Sequence, residues 1–328
     1  MNPSMTRRQM LATSALALAG QQALAQADTW PNRPIKVIVP SGAGSVADVL
    51  ARQLYDRLRP ILGQPIVIDN RPGANGLLAT TAVKSAPPDG HTFLHGTASA
   101  TVIADALNPA LPVQTLRDLA PVALTAVGGV LLVVHPSVPA RNLQELVALL
   151  KAEPNRYPSY GSWGVGSNGH LTMEWIKQRA GLSIQHVPYK TTGTVMTDLV
   201  AGTIHIAWLD VVSPVGFIQQ GKLRGIAING EIRNPKLPDI PTMTDQGFPF
   251  PATGWQGVFA PKDTPVAILN RMNAEINRQL ATADLQDGMR KANVDSPPII
   301  SRDAFAKMVE RDHATWRKIV VDGNIKPE

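Results

Sequence analysis

The sequence predicts an α/β protein: two Rossmann-like lobes joined by a double-crossing hinge, with a ligand cleft between them. Three observations carry that expectation. Short apolar strands alternate with helices along most of the chain. In the stretch 169–228, three helices each run into a glycine (Gly181, Gly202, Gly221), a plausible left-handed cap, and each glycine is followed by another strand. After residue 260 only helices follow, which should pack back onto the first sheet.

The chain opens on a segment that reads as an export signal. Arg7 and Arg8 precede an apolar run over residues 11–20, too short to span a bilayer, and Ala23, Ala25 and Ala27 offer small-x-small cleavage patterns. Residues 1–27 are therefore expected to be removed. The paired arginines fit the twin-arginine route, with the general route as the alternative. The expected destination is the periplasm.

The first strand covers residues 34–40 (PIKVIVP), and residues 46–62 form a helix with Leu50, Leu54 and Leu58 on one face. Residues 65–69 (PIVID) make a second strand, and a third begins at Thr92. A long apolar stretch over 122–135 crosses into a new unit. There the helices 169–180, 194–201 and 214–220 alternate with strands 184–189, 204–209 and 223–228, a pattern of parallel βαβ units covered on both faces. Prolines 235, 238, 241, 249 and 251 mark a connection back, and a strand at 257–260 follows. Thr264 with Pro265, Thr282 and Ser301 are expected to cap the closing helices. Residues 28–127 plus 254–328 thus make the first lobe, and 128–253 the second.

Composition excludes several classes. Without residues 1–27, which carry two arginines and no acid, 29 basic residues face 25 acidic ones. That mild excess helps attract anions but is no nucleic-acid footprint, since no basic cluster or aromatic-interleaved stripe appears. Cysteine is absent, which removes disulfides, thiolate nucleophiles and cysteine-based metal sites. No later segment offers ~18 uninterrupted apolar residues, so the mature chain is not expected to be membrane-embedded. The seven histidines are scattered, with no metal-ligand or paired-carboxylate spacing.

Two glycine loops carry the chemistry. Ser41, Gly42, Ala43, Gly44 and Ser45 lie between a strand and a helix start. With Asp69 after the next strand they match a G-x-G-x-x-A dinucleotide fingerprint, which leaves an exported nicotinamide enzyme open. More generally, amides at a helix N-terminus bind any small anion, so a carboxylate ligand or a purely structural turn fits as well. The second loop, YGSWGVGSNGH over 160–170, also joins a strand to a helix. Ser167 or Asn168 can cap that helix, while Gly164 and Gly166 let backbone face a ligand. Ser162 and Ser167 lack the preceding glycine of a G-x-S-x-G elbow, and His170 reads as polar surface. His186 and His205 read as packed core. Asp210, ending a strand, either lines the crevice or caps the turn near Ser213.

RPIKVIVP at 33–40 with Asp48, NRPGA at 70–74 with Gly76, and PDGHT at 88–92 together resemble the tripartite tricarboxylate transporter substrate-binding (Bug) family. YGS at 160–162, Gly164, Gly166, Ser167, His170, HVPYK at 186–190, Asp198, Asp210 and GKLR at 221–224 extend the similarity in order from about residue 29 to the C-terminus. The resemblance implies a periplasmic binding protein-like fold and no catalysis or cofactor. It implies a small di-, tri- or aromatic carboxylate ligand, and membrane transporter subunits as partners of a monomer. A ligand-sensing partner for a membrane receptor would share this sequence. Carried over, the ligand-binding positions are Ser41, Gly42, Ala43, Gly44, Ser45, Asp48, Gly76, Thr97 and Ser99 in the first lobe. In the second they are Ser162, Trp163, Gly164, Gly166, Ser167, Asn168, His170, Tyr189 and Asp210. Ser41 replaces the family's usual aromatic residue, Ser45 a glycine, Trp163 a small residue and Thr191 a glycine. Trp163 either stacks on ligand in the cleft or packs on its own lobe.

Overall fold

The computed structural model describes residues 30–229, 233, 234, 236–292, 294 and 296–326; the export signal and Pro235 lie outside them. Among the described residues the first elements are β1 (Ile35–Val39), α1 (Val46–Leu62), β2 (Ile66–Asn70), α2 (Leu77–Lys84) and β3 (Thr92–Thr97). A π-helical turn at Ser99–Ile103 leads into α3 (Ala104–Leu107), α4 (Thr115–Asp118) and β4 (Leu119–Gly128). The second lobe holds β5 (Val130–Val134), α5 (Leu143–Ala152), β6 (Ser159–Ser162), α6 (Asn168–Ala180), β7 (Gln185–Pro188), α7 (Thr192–Ala201), β8 (Ile206–Asp210), α8 (Val215–Gln219) and β9 (Arg224–Ile228). The chain returns through β10 (Gly254–Pro261) and closes with α9 (Val266–Leu280), α10 (Ala283–Lys291) and α11 (Arg302–Asp322).

Local chemistry accounts for most of these bounds. Ser45 caps α1 by accepting from the Asp48 amide, and Gly63 ends it at φ 69°. Gly181 and Gly202 end α6 and α7 in the left-handed region. Thr282 and Ser301 cap α10 and α11. At α9 the expectation is corrected: Pro265 occupies the cap position without a side-chain bond, and the Thr264 hydroxyl turns back to Pro261 O. The closing helices do return to the first sheet, α9 and α11 packing on β4.

The sheets are ordered β2-β1-β3-β10-β4 and β7-β6-β8-β5-β9. Neither is all-parallel, but the helix-linked strands β6, β7, β8 and β9 all run one way, as the sequence predicts, and in that sheet only the crossing strand β5 opposes them. β1 pairs parallel with β2 and β3, but β10 runs antiparallel to both β3 and β4. In the second sheet β6 is parallel to β7 and β8, while β5 is antiparallel to β8 and β9. The reason is the crossing itself: a strand that has just left one sheet enters the other from the cleft side, against the direction of its βαβ strands.

The crossing is narrow. β4 ends at Gly128, β5 begins at Val130, and Gly254 of β10 pairs with Gly128. A Cβ on Gly254 would stand 2.4 Å from Gly128 O, so only glycine fits there. One apolar cluster runs through both lobes, joining Leu94, Phe259 and Trp316 to Leu132, Trp175 and Trp208. Phe250 bridges it, edge-on to Trp175 at 5.1 Å and to Trp316 at 5.6 Å. Trp255 Nε1 donates to Asp312 Oδ2 at 2.7 Å, fixing β10 against α11.

Candidate functional site

Four strands end at the cleft. Ser41 follows β1, Thr97 ends β3, Ser162 ends β6 and Asp210 ends β8. Carboxyl ends of parallel strands leave the next helix N-terminus pointing into the crevice, which is how the ligand crevice of open α/β sheets is built.

In the first lobe the loop after β1 is internally bonded. Gly44, at φ 79°, donates its amide to Asp48 Oδ2 at 2.9 Å, and Ser45 donates its amide to Gly42 O at 3.2 Å. The Ser41 and Ser45 hydroxyls meet at 2.7 Å. These amides stabilise the turn, so the expectation that they stand free toward a ligand does not hold for Gly44 and Ser45. Asp48 is buried, and it also accepts from Arg52 Nε at 3.0 Å and Asn70 Nδ2 at 2.9 Å. Burial pushes its carboxyl up, but Arg52, the Gly44 amide and Asn70 together hold it below the ordinary carboxylate range. Asp48 therefore braces the loop from beneath, while Ala43 and Gly44 form its exposed tip. Asp69 is paired with Arg71 at 2.9 Å.

The loop after β2 is unusual. Gly73, Ala74, Asn75 and Gly76 all have positive φ, at 119°, 47°, 48° and 89°. Gly76 passes so close to the π-helical turn that a Cβ would lie 2.3 Å from Ala100 Cβ. Thr97 serves that turn, its hydroxyl accepting from the Ala100 amide at 3.2 Å.

In the second lobe, residues 162–170 wrap a buried polar knot. Ser162 Oγ lies 3.0 Å from Ser167 Oγ, 2.7 Å from His186 Nε2, and 3.1 Å from Gly164 O. Ser167 caps α6 by accepting from the His170 amide. Gly164 and Gly166 take φ 128° and 74°. His170 is buried, which corrects its reading as polar surface; its Nδ1 accepts the Gly166 amide at 3.1 Å, and its ring stacks on His186 at 4.1 Å. Burial, aided by Lys177, lowers His170 to about 4. Burial, then the neighbouring His170, lowers His186 to about 3, so both rings are neutral at pH 7. Ser162 is fully buried, and among the described residues His186 Nδ1 has no hydrogen-bond partner.

Trp163 is half-buried, with Cζ3 3.3 Å from where a Gly169 Cβ would stand, so part of the indole leans on α6. Tyr189 donates its hydroxyl to Asp198 Oδ2 at 2.8 Å; burial and that carboxylate raise it to about 12. Asp210 accepts from the Val212 amide, the Ser213 amide and the Ser213 hydroxyl, at 2.9, 2.7 and 2.7 Å. It holds the turn near Ser213, and Val212 from that turn packs against the first-lobe cluster containing Ala47.

The lobes meet directly. Asn168 donates its amide to Ser99 Oγ at 3.2 Å, and Asn75 Nδ2 donates to Gly166 O at 3.2 Å. Ser99 and Asn168 were among the expected positions; Asn70, Asn75, His186 and Asn229 were not. Asn75 alone left a signal, an asparagine between left-handed-prone glycines. Among the described residues no group of three or more His, Asp or Glu side chains is placed to hold a metal, and no helix is long and apolar enough to cross a membrane.

Residues 50–325 match the tripartite tricarboxylate transporter family receptor. The chain belongs to this family. It is a family of periplasmic solute-binding proteins, and the two-lobed α/β architecture is theirs. Among relatives of this receptor, protein BugT of Bordetella pertussis is 33% identical over 325 residues, covering 98% of this chain and 99% of BugT. MatC of Rhodopseudomonas palustris, solved with bound malate, is 30% identical with a TM-score of 0.80, covering 89% of this chain and 100% of MatC. A second R. palustris protein, solved with adipate, is 29% identical with a TM-score of 0.82, covering 91% and 100%.

Proposed function

We propose that this receptor captures a small carboxylate in the periplasm and hands it to the membrane subunits of a tripartite tricarboxylate-type transporter, without chemistry of its own. The observation that carries the reading is the cleft: α1 and α6 both start at it, flanked by the Ser41, Ser45, Thr97 and Ser99 hydroxyls. Helix N-termini and hydroxyls suit an anion of modest charge. Malate and adipate in the related proteins support the ligand class. Export is by the twin-arginine signal, and the ligand positions are those named above in the two lobes, with the Gly44 and Ser45 amides committed to their own turn.

Ligand choice is set by the departures from the family pattern. Ser41 opens room on one wall and Trp163 adds an indole beside the second loop, which favours a bulkier or aromatic carboxylate over a short diacid. Mass spectrometry of what co-purifies, released by gentle denaturation, identifies the ligand. Calorimetric titration with malate, adipate and benzoate-type acids then ranks the classes. Absence of any carboxylate from the purified protein, with no binding across that panel, would overturn the reading.

A further inference from the structure

We infer that Asn75 is a positioning residue: a cross-cleft latch that holds the second-lobe loop 162–170 against the first lobe before any ligand contributes. The inference rests on the receptor reading above only for its purpose; the latch itself is a property of the chain.

The backbone is built to aim this side chain. Two non-glycine residues, Ala74 and Asn75, sit in the left-handed region at φ 47° and 48°, between glycines that are left-handed or beyond. An L-residue pays for that conformation, asparagine less than most, and such outliers persist only where surroundings over-determine them. Here the surroundings are Gly76 packed on Ala100 and the Asn75 amide itself. Its Nδ2 approaches Ser99 O, in its own lobe, at 3.4 Å and Gly166 O, in the other lobe, at 3.2 Å. The first contact fixes the direction and the second crosses the cleft.

Ser99 completes the grip. Asn168 is the first residue of α6, and its amide is one of the donors a helix leaves without an internal partner. Ser99 Oγ accepts it from the opposite lobe, while Ser167 Oγ caps the same helix from within by accepting the His170 amide. Helix α6 is thus capped from both lobes, and separating them uncaps it. Gly166 makes the approach sterically possible, since a Cβ there would stand 2.7 Å from Leu107 Cδ2 and 3.0 Å from Asn75 Nδ2.

Contacts present only in the closed arrangement shift the open–closed population without touching ligand. Losing one such bond should raise the open fraction about five-fold. The chain has no cysteine, so spin labels at Asp56→Cys and Lys151→Cys would report the lobe separation uniquely. Asn75→Gly deletes the amide and relieves the left-handed strain, so it separates latch from backbone effects. Asn75→Asp opposes a carboxylate to Gly166 O. In ligand-free protein, both variants should shift the dipolar distance distribution to wider separations. Amide exchange at residues 166–168 should quicken about five-fold, with the rest of the exchange map unchanged. A distribution in Asn75→Gly that coincides with wild type, with exchange at 166–168 also unaltered, would overturn the latch. Neither readout uses ligand, so failure of the carboxylate panel strikes the receptor reading alone.

Discussion

Asn229 Nδ2 donates to Asn168 Oδ1 at 2.6 Å while Asn229 Oδ1 accepts the Val130 amide at 2.7 Å. One buried side chain therefore joins the start of α6 to the first residue of β5, where the chain enters the second lobe. Thr172 Oγ1 shares the same Asn168 oxygen at 3.1 Å. Asn229→Ala leaves the Val130 amide without that acceptor in a buried place and should destabilise the protein by about 1–3 kcal/mol. Urea denaturation followed by far-UV circular dichroism measures it; a loss below about 0.5 kcal/mol would mean water replaces the side chain.

Gly44 and Gly166 should respond differently to alanine. A Cβ on Gly44 meets open space, so Gly44→Ala carries only the left-handed strain, about 1–2 kcal/mol. On Gly166 the same methyl drives into Leu107 and Asn75 across the cleft and wedges the lobes apart. Small-angle scattering should give a larger radius of gyration for Gly166→Ala and an unchanged one for Gly44→Ala. Lys190→Ala, at an exposed position, should affect carboxylate affinity least of the three. An order with Lys190 first would make a side-chain ion pair the dominant anchor.

Trp163 is the specificity test. If the exposed part of its indole stacks on ligand, Trp163→Phe should weaken an aromatic acid by about five-fold, since stacking contributes ~1 kcal/mol beyond burial. A short diacid should be unaffected. Emission titrations of wild type and variant with both classes decide the matter, and equal losses for the two would refute stacking.

Acid should loosen the fold in a defined window. Burial lowers His95 and His170 to about 4 and His186 to about 3, while an unfolded imidazole titrates near 6.5. Below pH 6.5 the unfolded chain binds protons that the native rings refuse, so stability is complete above that pH and falls toward pH 4. Asp105 acts oppositely: burial raises it to about 6, and it regains stability as pH drops from there. Burial also raises the Asp312 carboxyl and lowers His135 and His313, so two carboxyls stand against five rings and the net is a loss. The urea midpoint should fall between pH 7 and 5, and His170→Gln should make the fall shallower. A flat midpoint over that range would contradict the buried neutral rings.

The export route is separable from export. Changing Arg7 and Arg8 to lysine keeps the charge but should leave precursor in the cytoplasm, as cell fractionation would report. Normal processing of the double variant would assign the general route instead.

What the sequence made legible was local. The bounds of α1 follow from Ser45, the Leu50–Leu54–Leu58 stripe and Gly63, all within one window. The caps at Gly181, Gly202, Thr282 and Ser301 were readable for the same reason. Strand direction was not: β5 and β10 look like any apolar strand, and their antiparallel entry depends on where the chain crosses. The cross-cleft contacts were equally hidden. Asn75 and Gly166 are 91 residues apart and Ser99 and Asn168 are 69 apart, and no spacing rule links them. His170 was misjudged because the ring that buries it, His186, arrives from another strand.

The pairing of Gly128 with Gly254 means the two crossings are hydrogen-bonded to each other and form a single ribbon. A two-stranded ribbon flexes out of its plane far more easily than within it. Lobe motion would then have one soft axis, like a door on a piano hinge, with sliding and swivelling suppressed. Ligands of different length would be accommodated by stopping the door at different angles along one arc. Affinity across a homologous series would vary smoothly with chain length, and the side chains at the cleft rim could change freely without altering the path of closure.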